Sequence, residues 1–251
     1  MRQVKIHTGT LLAAGLIAGL AGCGSSDDGG SGAGPSGAGR PAAAAEPQQS
    51  GRQRAEIATV RGGRIAVHKQ KGDGAVWKTL SSPNAMGATR VFLVEAKDGD
   101  WLKVLLPVRP NGSTGWVKAS DVGLSSTSRR VEIDPKAFTF TVFDGDKVLR
   151  TGKVATGEGG TPTPAGRFYF TELVEPPNPN GGYGAYAFGL SGFSPTLKTF
   201  AGGPGQLAVH GTNKASALGG KASHGCVRVS NDDITWMAKN LAIGTPVVVK
   251  A

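Results

Sequence analysis

The stretch Ala137-Phe138-Thr139-Phe140-Thr141-Val142-Phe143-Asp144-Gly145-Asp146-Lys147-Val148-Leu149 decides the fold class. Apolar and polar residues alternate with period two, which puts successive side chains on opposite faces of a strand. Asp144-Gly145-Asp146 is a turn signal, after which Lys147-Val148-Leu149 returns as the second strand of a hairpin. Downstream, Thr161-Pro162-Thr163-Pro164-Ala165-Gly166 leads into Arg167-Phe168-Tyr169-Phe170, a Pro-rich turn followed by a strand, as in a β sandwich or barrel. Pro176 to Gly184 is a long Pro/Asn/Gly loop, a length usually associated with function or disorder. One helix is expected: Ser230 and Asp233 are spaced as a capping box, and Ile234, Met237, Ala238 and Leu241 form one apolar face. Gly244-Thr245-Pro246 ends that helical stretch, and Val247-Val248-Val249 is a final strand. The fold class is therefore mainly β with one short helix. Gly at 40 of 251 residues suits this class, and the 6% aromatic and 18% charged content argues against a coiled coil or helical bundle.

Upstream, residues 55–124 alternate short apolar runs with turns. Ile65-Ala66-Val67, Val91-Phe92-Leu93-Val94 and Trp101-Leu102-Lys103-Val104 read as strands, with turn signals at Asp98-Gly99 and Asn111-Gly112. The pair Trp101-Leu102-Lys103-Val104 and Gly115-Trp116-Val117 resembles a bacterial SH3-like domain, a small barrel that in many relatives binds wall peptides. Trp101 and Trp116 are then either ligand contacts or core. Ser125 to Arg130 reads as a short polar linker to a second domain at 129–251.

The chain opens with a basic n-region, Arg2 and Lys5, and an apolar run from Leu11 to Ala21 that is too short to span a bilayer comfortably. This is a secretory signal pattern over residues 1–22. Leu20-Ala21-Gly22-Cys23 resembles a bacterial lipobox, which implies cleavage before Cys23 and a diacylglycerol on its thiol. Two acyl chains suffice for stable anchoring, so the expected location is the cell membrane, lipid-anchored and facing the extracytoplasmic cell wall. Residues 24–50 contain no aromatic residue and no Val, Ile, Leu or Met, and residues 23–54 are read as a flexible tether. Formal charge is zero over residues 1–50, +6 over 51–128 and +4 over 129–251. Outside the membrane this basic balance argues against nucleic acid as a partner and for anionic cell-wall polymers, or else for a merely soluble basic surface.

With Cys23 assigned to lipid, Cys226 is the remaining cysteine, so a disulfide scaffold is excluded. An unpaired thiol in an exported protein is a candidate nucleophile, and it needs a base or a positive neighbour. Val209-His210-Gly211-Thr212 and Ser223-His224-Gly225-Cys226-Val227-Arg228 supply both. The glycines allow close backbone approach to a substrate.

His-Gly-Thr, then Ser-His-Gly-Cys-x-Arg, with His210 sixteen residues before Cys226, resembles the YkuD-type L,D-transpeptidase catalytic domain. So does Thr161-Pro162-Thr163-Pro164-x-Gly166-x-Phe168. The resemblance covers residues 129–251. Many members carry Asn two residues after the Cys, where this chain has Arg228, so the role of that Asn is not carried over. The resemblance implies that Cys226 attacks the third residue of a peptidoglycan stem, releases the terminal D-alanine and passes the acyl group to an amine, forming a 3-3 cross-link. It implies His210 as general acid/base, oriented by the Gly211 carbonyl, and the N–H groups of Gly225 and Cys226 as oxyanion donors. Ser223 and His224 fall to the loop or to substrate contact. Arg228 is a candidate for thiolate stabilisation, for a stem carboxylate or for a surface ion pair. Tyr183, Tyr186 and Phe188 are candidates for a cleft lid or for core. No cofactor or metal is implied.

Other readings remain open at this stage. Three N/S ligands from His210, His224 and Cys226 would suit zinc. A cysteine peptidase of the NlpC/P60 type often follows SH3-like domains, but there the Cys precedes the His. Water as acceptor makes the enzyme an L,D-carboxypeptidase. A non-enzymatic wall-binding lipoprotein would not need the thiol.

Overall fold

The alternation at 137–149 gives the hairpin it specifies. The structure, a computed structural model, describes residues 2–3, 54–72 and 74–251. In chain order the strands are β1 Arg2–Gln3, β2 Ala55–Val60, β3 Arg64–Val67, β4 Lys78–Ser81, β5 Val91–Asp98, β6 Trp101–Leu105, β7 Thr114–Lys118, β8 Val122–Thr127, β9 Arg129–Asp134, β10 Thr139–Asp144, β11 Lys147–Lys153, β12 Thr156–Gly157, β13 Gly166–Glu175, β14 Ala187–Phe193, β15 Gln206–His210, β16 Lys221–Ser223, β17 Val227–Arg228 and β18 Pro246–Val249. The one α-helix among the described residues is α1, Asn231–Asn240. Cys23 and the tether as far as residue 53 lie outside the described residues, as does all of the leader except β1, which pairs with Val174 and Glu175.

In the hairpin, β10 and β11 pair from Thr139 opposite Lys153 to Asp144 opposite Lys147. Phe140 and Val142 point inward and are buried, as the alternation requires. The sheet runs β11-β10-β9-β18-β13-β14-β15-β17, with β18 between β9, to which it is parallel, and β13, to which it is antiparallel. It curls so that Val131 and Val142 from one end share a single core with Phe170, Phe188 and Val227 from the other. Helix α1 closes that core with Ile234 and Met237. Ser230 caps it, its Oγ accepting the Asp233 N–H at 3.0 Å and donating to Asp233 Oδ2 at 2.6 Å. The Asp233 carboxylate also takes Arg150 Nε at 2.6 Å. An N-cap of this kind contributes about 1 kcal/mol.

The first sheet, β7-β6-β5-β2-β8, packs Phe92, Leu102, Val104 and Val117 inside, with the β3-β4 hairpin beside it. Trp101 and Trp116 are not part of that core. They stand half-buried on the other face, opposite Lys118 and Lys103 across the β6-β7 ladder.

The polar linker expected at Ser125–Arg130 is instead strand. β8 pairs with β2 as far as Thr127, and β9 begins at Arg129. Its polar composition reflects a largely exposed strand. A third apolar cluster, Ile57, Val91, Leu93 and Leu105 around Tyr169, joins the two sheets, and Tyr169 Oη donates to the Leu105 carbonyl at 3.2 Å. Asn84 Nδ2 donates to Glu172 at 2.8 Å and Arg167 makes two bonds to Glu95, at 2.9 and 2.7 Å.

Candidate active site

Strand β15 delivers His210 and strand β17 continues directly from Cys226. The two strands are parallel, with Val209 opposite Val227 and His210 opposite Arg228. Side chains two apart on a strand share a face, so Ala208, His210, Cys226 and Arg228 form one patch. The Cys226 thiol meets the backbone of Ala208.

His210 is buried, and its Nδ1 lies 2.6 Å from the Gly211 carbonyl. A carbonyl only accepts, so Nδ1 carries the proton and Nε2 keeps its lone pair. Burial is the main force that pulls the imidazole down to about 4, the Gly211 bond opposes it, and the Arg228 charge adds to it. Burial likewise pushes the Cys226 thiol up, against the lowering effects of the Ala208 backbone and Arg228. At neutral pH the resting pair is therefore neutral thiol and neutral imidazole, suited to proton transfer during attack.

The turn that presents the thiol is held from beneath. Ser223 Oγ accepts the Gly225 N–H at 3.1 Å and donates to the Cys226 carbonyl at 2.5 Å. Thr163 Oγ1 donates to the Gly225 carbonyl and accepts the Gly157 N–H, both at 2.9 Å. Gly225 has φ +116, which a side chain would strain, and a Cβ there would lie 3.1 Å from Leu207. Two expectations change here. Ser223 is 1% exposed and shapes the turn, so it does not contact substrate. The Gly225 N–H is spent on Ser223, which leaves the Cys226 N–H as the oxyanion candidate.

The Pro176–Gly184 loop brings Tyr183 to the site. Its ring centroid lies 4.8 Å from that of His210, and its hydroxyl senses both Cys226 and Arg228. Phe188 is core instead, stacked on Phe170 at 4.2 Å, and Tyr186 packs against the same core. Asn231, the first residue of α1, ties this loop to the histidine segment. Its Oδ1 accepts the Ala185 N–H at 3.3 Å and the Thr212 N–H at 3.1 Å. A Cβ on Gly184 or Gly211 would fall 2.1 or 2.2 Å from that oxygen. No short motif marks Asn231 in the sequence.

His224 points outward and pairs its ring with Phe200 at 5.3 Å. Among the described residues no three His, Cys, Asp or Glu side chains converge on a metal position, so the geometry does not assemble the zinc alternative. Arg228 Nε is buried without a hydrogen-bond partner, and no ion pair among the described residues includes Arg228.

A thiol at the entry to one strand and an imidazole on its parallel neighbour are the two groups that thiol-based acyl transfer uses. Comparison with known proteins shows what this arrangement is similar to. Residues 128–249 match the YkuD family, described as the L,D-transpeptidase catalytic domain. The chain is 32% identical over 120 residues to a Bacillus licheniformis protein named as the L,D-transpeptidase YkuD, covering 48% of this chain and 64% of that protein. It is 34% identical over 113 residues to the Bacillus subtilis protein of the same name, covering 45% and 60%. It thus spans less than two thirds of the length of these curated relatives. An L,D-transpeptidase from Mycobacterium smegmatis superposes with a TM-score of 0.41 at 18% identity, covering 74% of this chain and 99% of that one.

Proposed function

We propose that the protein is a peptidoglycan L,D-transpeptidase working through a thioester on Cys226. The supporting observation is the neutral, Nδ1-protonated His210 on the strand beside Cys226, in a YkuD-type domain. As Sγ attacks the carbonyl carbon of the third stem residue, His210 Nε2 takes the thiol proton. The Cys226 N–H meets the oxyanion. The imidazolium returns that proton to the departing D-alanine nitrogen, and the C–N bond breaks to leave the thioester. An acceptor amine, deprotonated by His210, then attacks, and Cys226 leaves as the thiol. Arg228 Nε supplies a donor for a stem carboxylate, where pairing would satisfy a group now unpartnered.

The remaining assignments belong to the same reading. The first sheet is an SH3-like module. Cys23 carries the lipid that holds the protein at the membrane, facing the wall. The basic surface of both domains favours anionic wall polymers. The test is mass spectrometry of products from purified stem tetrapeptide with an amine acceptor. A cross-linked product that has lost one D-alanine, absent with Cys226→Ala, is expected. Tripeptide alone would make the enzyme a carboxypeptidase. No product from a protein whose thiol still alkylates would refute acyl transfer.

A further inference from the structure

Between β14 and β15 the chain makes a loop, residues 194–205. Its neck is closed by the Ser194 N–H donating to the Gly205 carbonyl at 2.9 Å. At its tip Phe200 and Gly203 exchange N–H···O bonds of 2.9 Å each. Phe200, 40% exposed, lies there with its ring at 32° to that of His224, two residues before Cys226. Within the loop the side-chain support is slight, the main contact being Ser194 Oγ accepting the Leu197 N–H at 3.1 Å.

The first domain supplies the rest of the support, from the connection between β6 and β7. Arg109 Nη1 donates to the Ser194 carbonyl at 2.6 Å, and its Nη2 donates to the Leu197 and Pro204 carbonyls at 2.9 and 3.0 Å. The same guanidinium lies 5.0 Å from the centre of the Phe193 ring. Asn111 completes the grip, donating to the Phe193 carbonyl at 2.8 Å and accepting the Phe193 N–H at 2.9 Å. One planar, rigid guanidinium spanning three carbonyls fixes their relative positions, which a flexible ammonium cannot do. The loop it grips leads straight into β15 and His210.

We propose that Arg109 is a positioning residue for the Cys226 site. By clamping the neck of the 194–205 loop it keeps Phe200 over His224, so that the first domain forms one wall of the cleft in which the donor stem lies. The consequence for the stem rests on the transpeptidase reading; the clamp itself does not.

The full-length chain tests both parts. In wild type the His224 Cε1–H resonance, read with the imidazole neutral, is displaced by the Phe200 ring current, and Phe200→Leu removes that displacement. Arg109→Ala removes most of it, Arg109→Lys restores little, and the His210 resonance stays in place. Asn111→Ala, which loosens the same neck, shifts the His224 resonance in the same direction if Arg109→Ala folds poorly. With stem tetrapeptide, Arg109→Ala and Phe200→Leu each raise KM about tenfold with kcat within about twofold. The double variant is no worse than either single one, as expected for residues acting through one contact. A His224 resonance unmoved by Arg109→Ala, or by Phe200→Leu, overturns the clamp, as does an additive KM effect. A wild type without turnover whose resonance responds as described refutes the transpeptidase reading and leaves the clamp standing.

Discussion

Acidifying the protein should remove stability through His210 in a defined window. The imidazole ordinarily titrates at 6.5 and is held down to about 4 in the fold, chiefly by burial. Between these values the unfolded chain binds a proton that the folded chain excludes, so stability falls as pH drops from about 6.5 to 4. It is fully present above that window and flat below it. The difference corresponds to about 3 kcal/mol. Urea unfolding at a series of pH values from 7.5 to 3.5, on wild type and on His210→Gln, isolates the effect, because every other titrating group is common to both. Wild type should lose about 3 kcal/mol relative to the variant across the window. Parallel stability curves would refute the buried neutral imidazole. A wild type that gained on acidification would mean that His210 rests as an imidazolium paired with a thiolate.

Two further outcomes follow from the same geometry. Because burial raises the thiol above its ordinary value of 9.0, the rate of Cys226 alkylation by iodoacetamide should climb only in strongly alkaline solution, and fast alkylation below neutrality would contradict this. Asn231→Ala strands the Ala185 and Thr212 N–H donors, which should cost about 2–4 kcal/mol and lower Tm by about 5–15 °C. An unchanged calorimetric Tm would show that Asn231 does not hold the two segments together.

What the sequence revealed, it revealed through local rules. The hairpin at 137–149 and the Ser230-capped helix each depend on residues within a dozen positions of one another, and both are present. The thiol and His210 were picked out as a pair because the chemistry restricts the residue types, and the fold sets their segments side by side. The linker reading at Ser125–Arg130 failed because polarity reports exposure, whereas strand pairing with β2 depends on partners far away in the chain. Phe188 was ambiguous for a related reason: an aromatic next to a functional loop looks the same whether it faces the cleft or stacks on Phe170. Ser223 and the Gly225 N–H were assigned to substrate chemistry, yet they satisfy each other, a local bond that no motif announces. Asn231, Thr163 and Arg109 act across long sequence separations, and only the folded chain brings them to the segments they hold.

The place of β18 also sets an order of events. Val247 to Val249 fill the gap between β9 and β13, and Val131 to Ile133 have no parallel neighbour until those residues arrive. A nascent chain displaying β9 to β15 therefore holds two half-sheets with open edges, each able to pair with the wrong strand. The sheet closes only after residues 246–249 have emerged, once the whole thiol–imidazole segment is already outside. In the order of synthesis, the thiol of Cys226 is thus present in an unfinished chain before the strand that closes the sheet around His210.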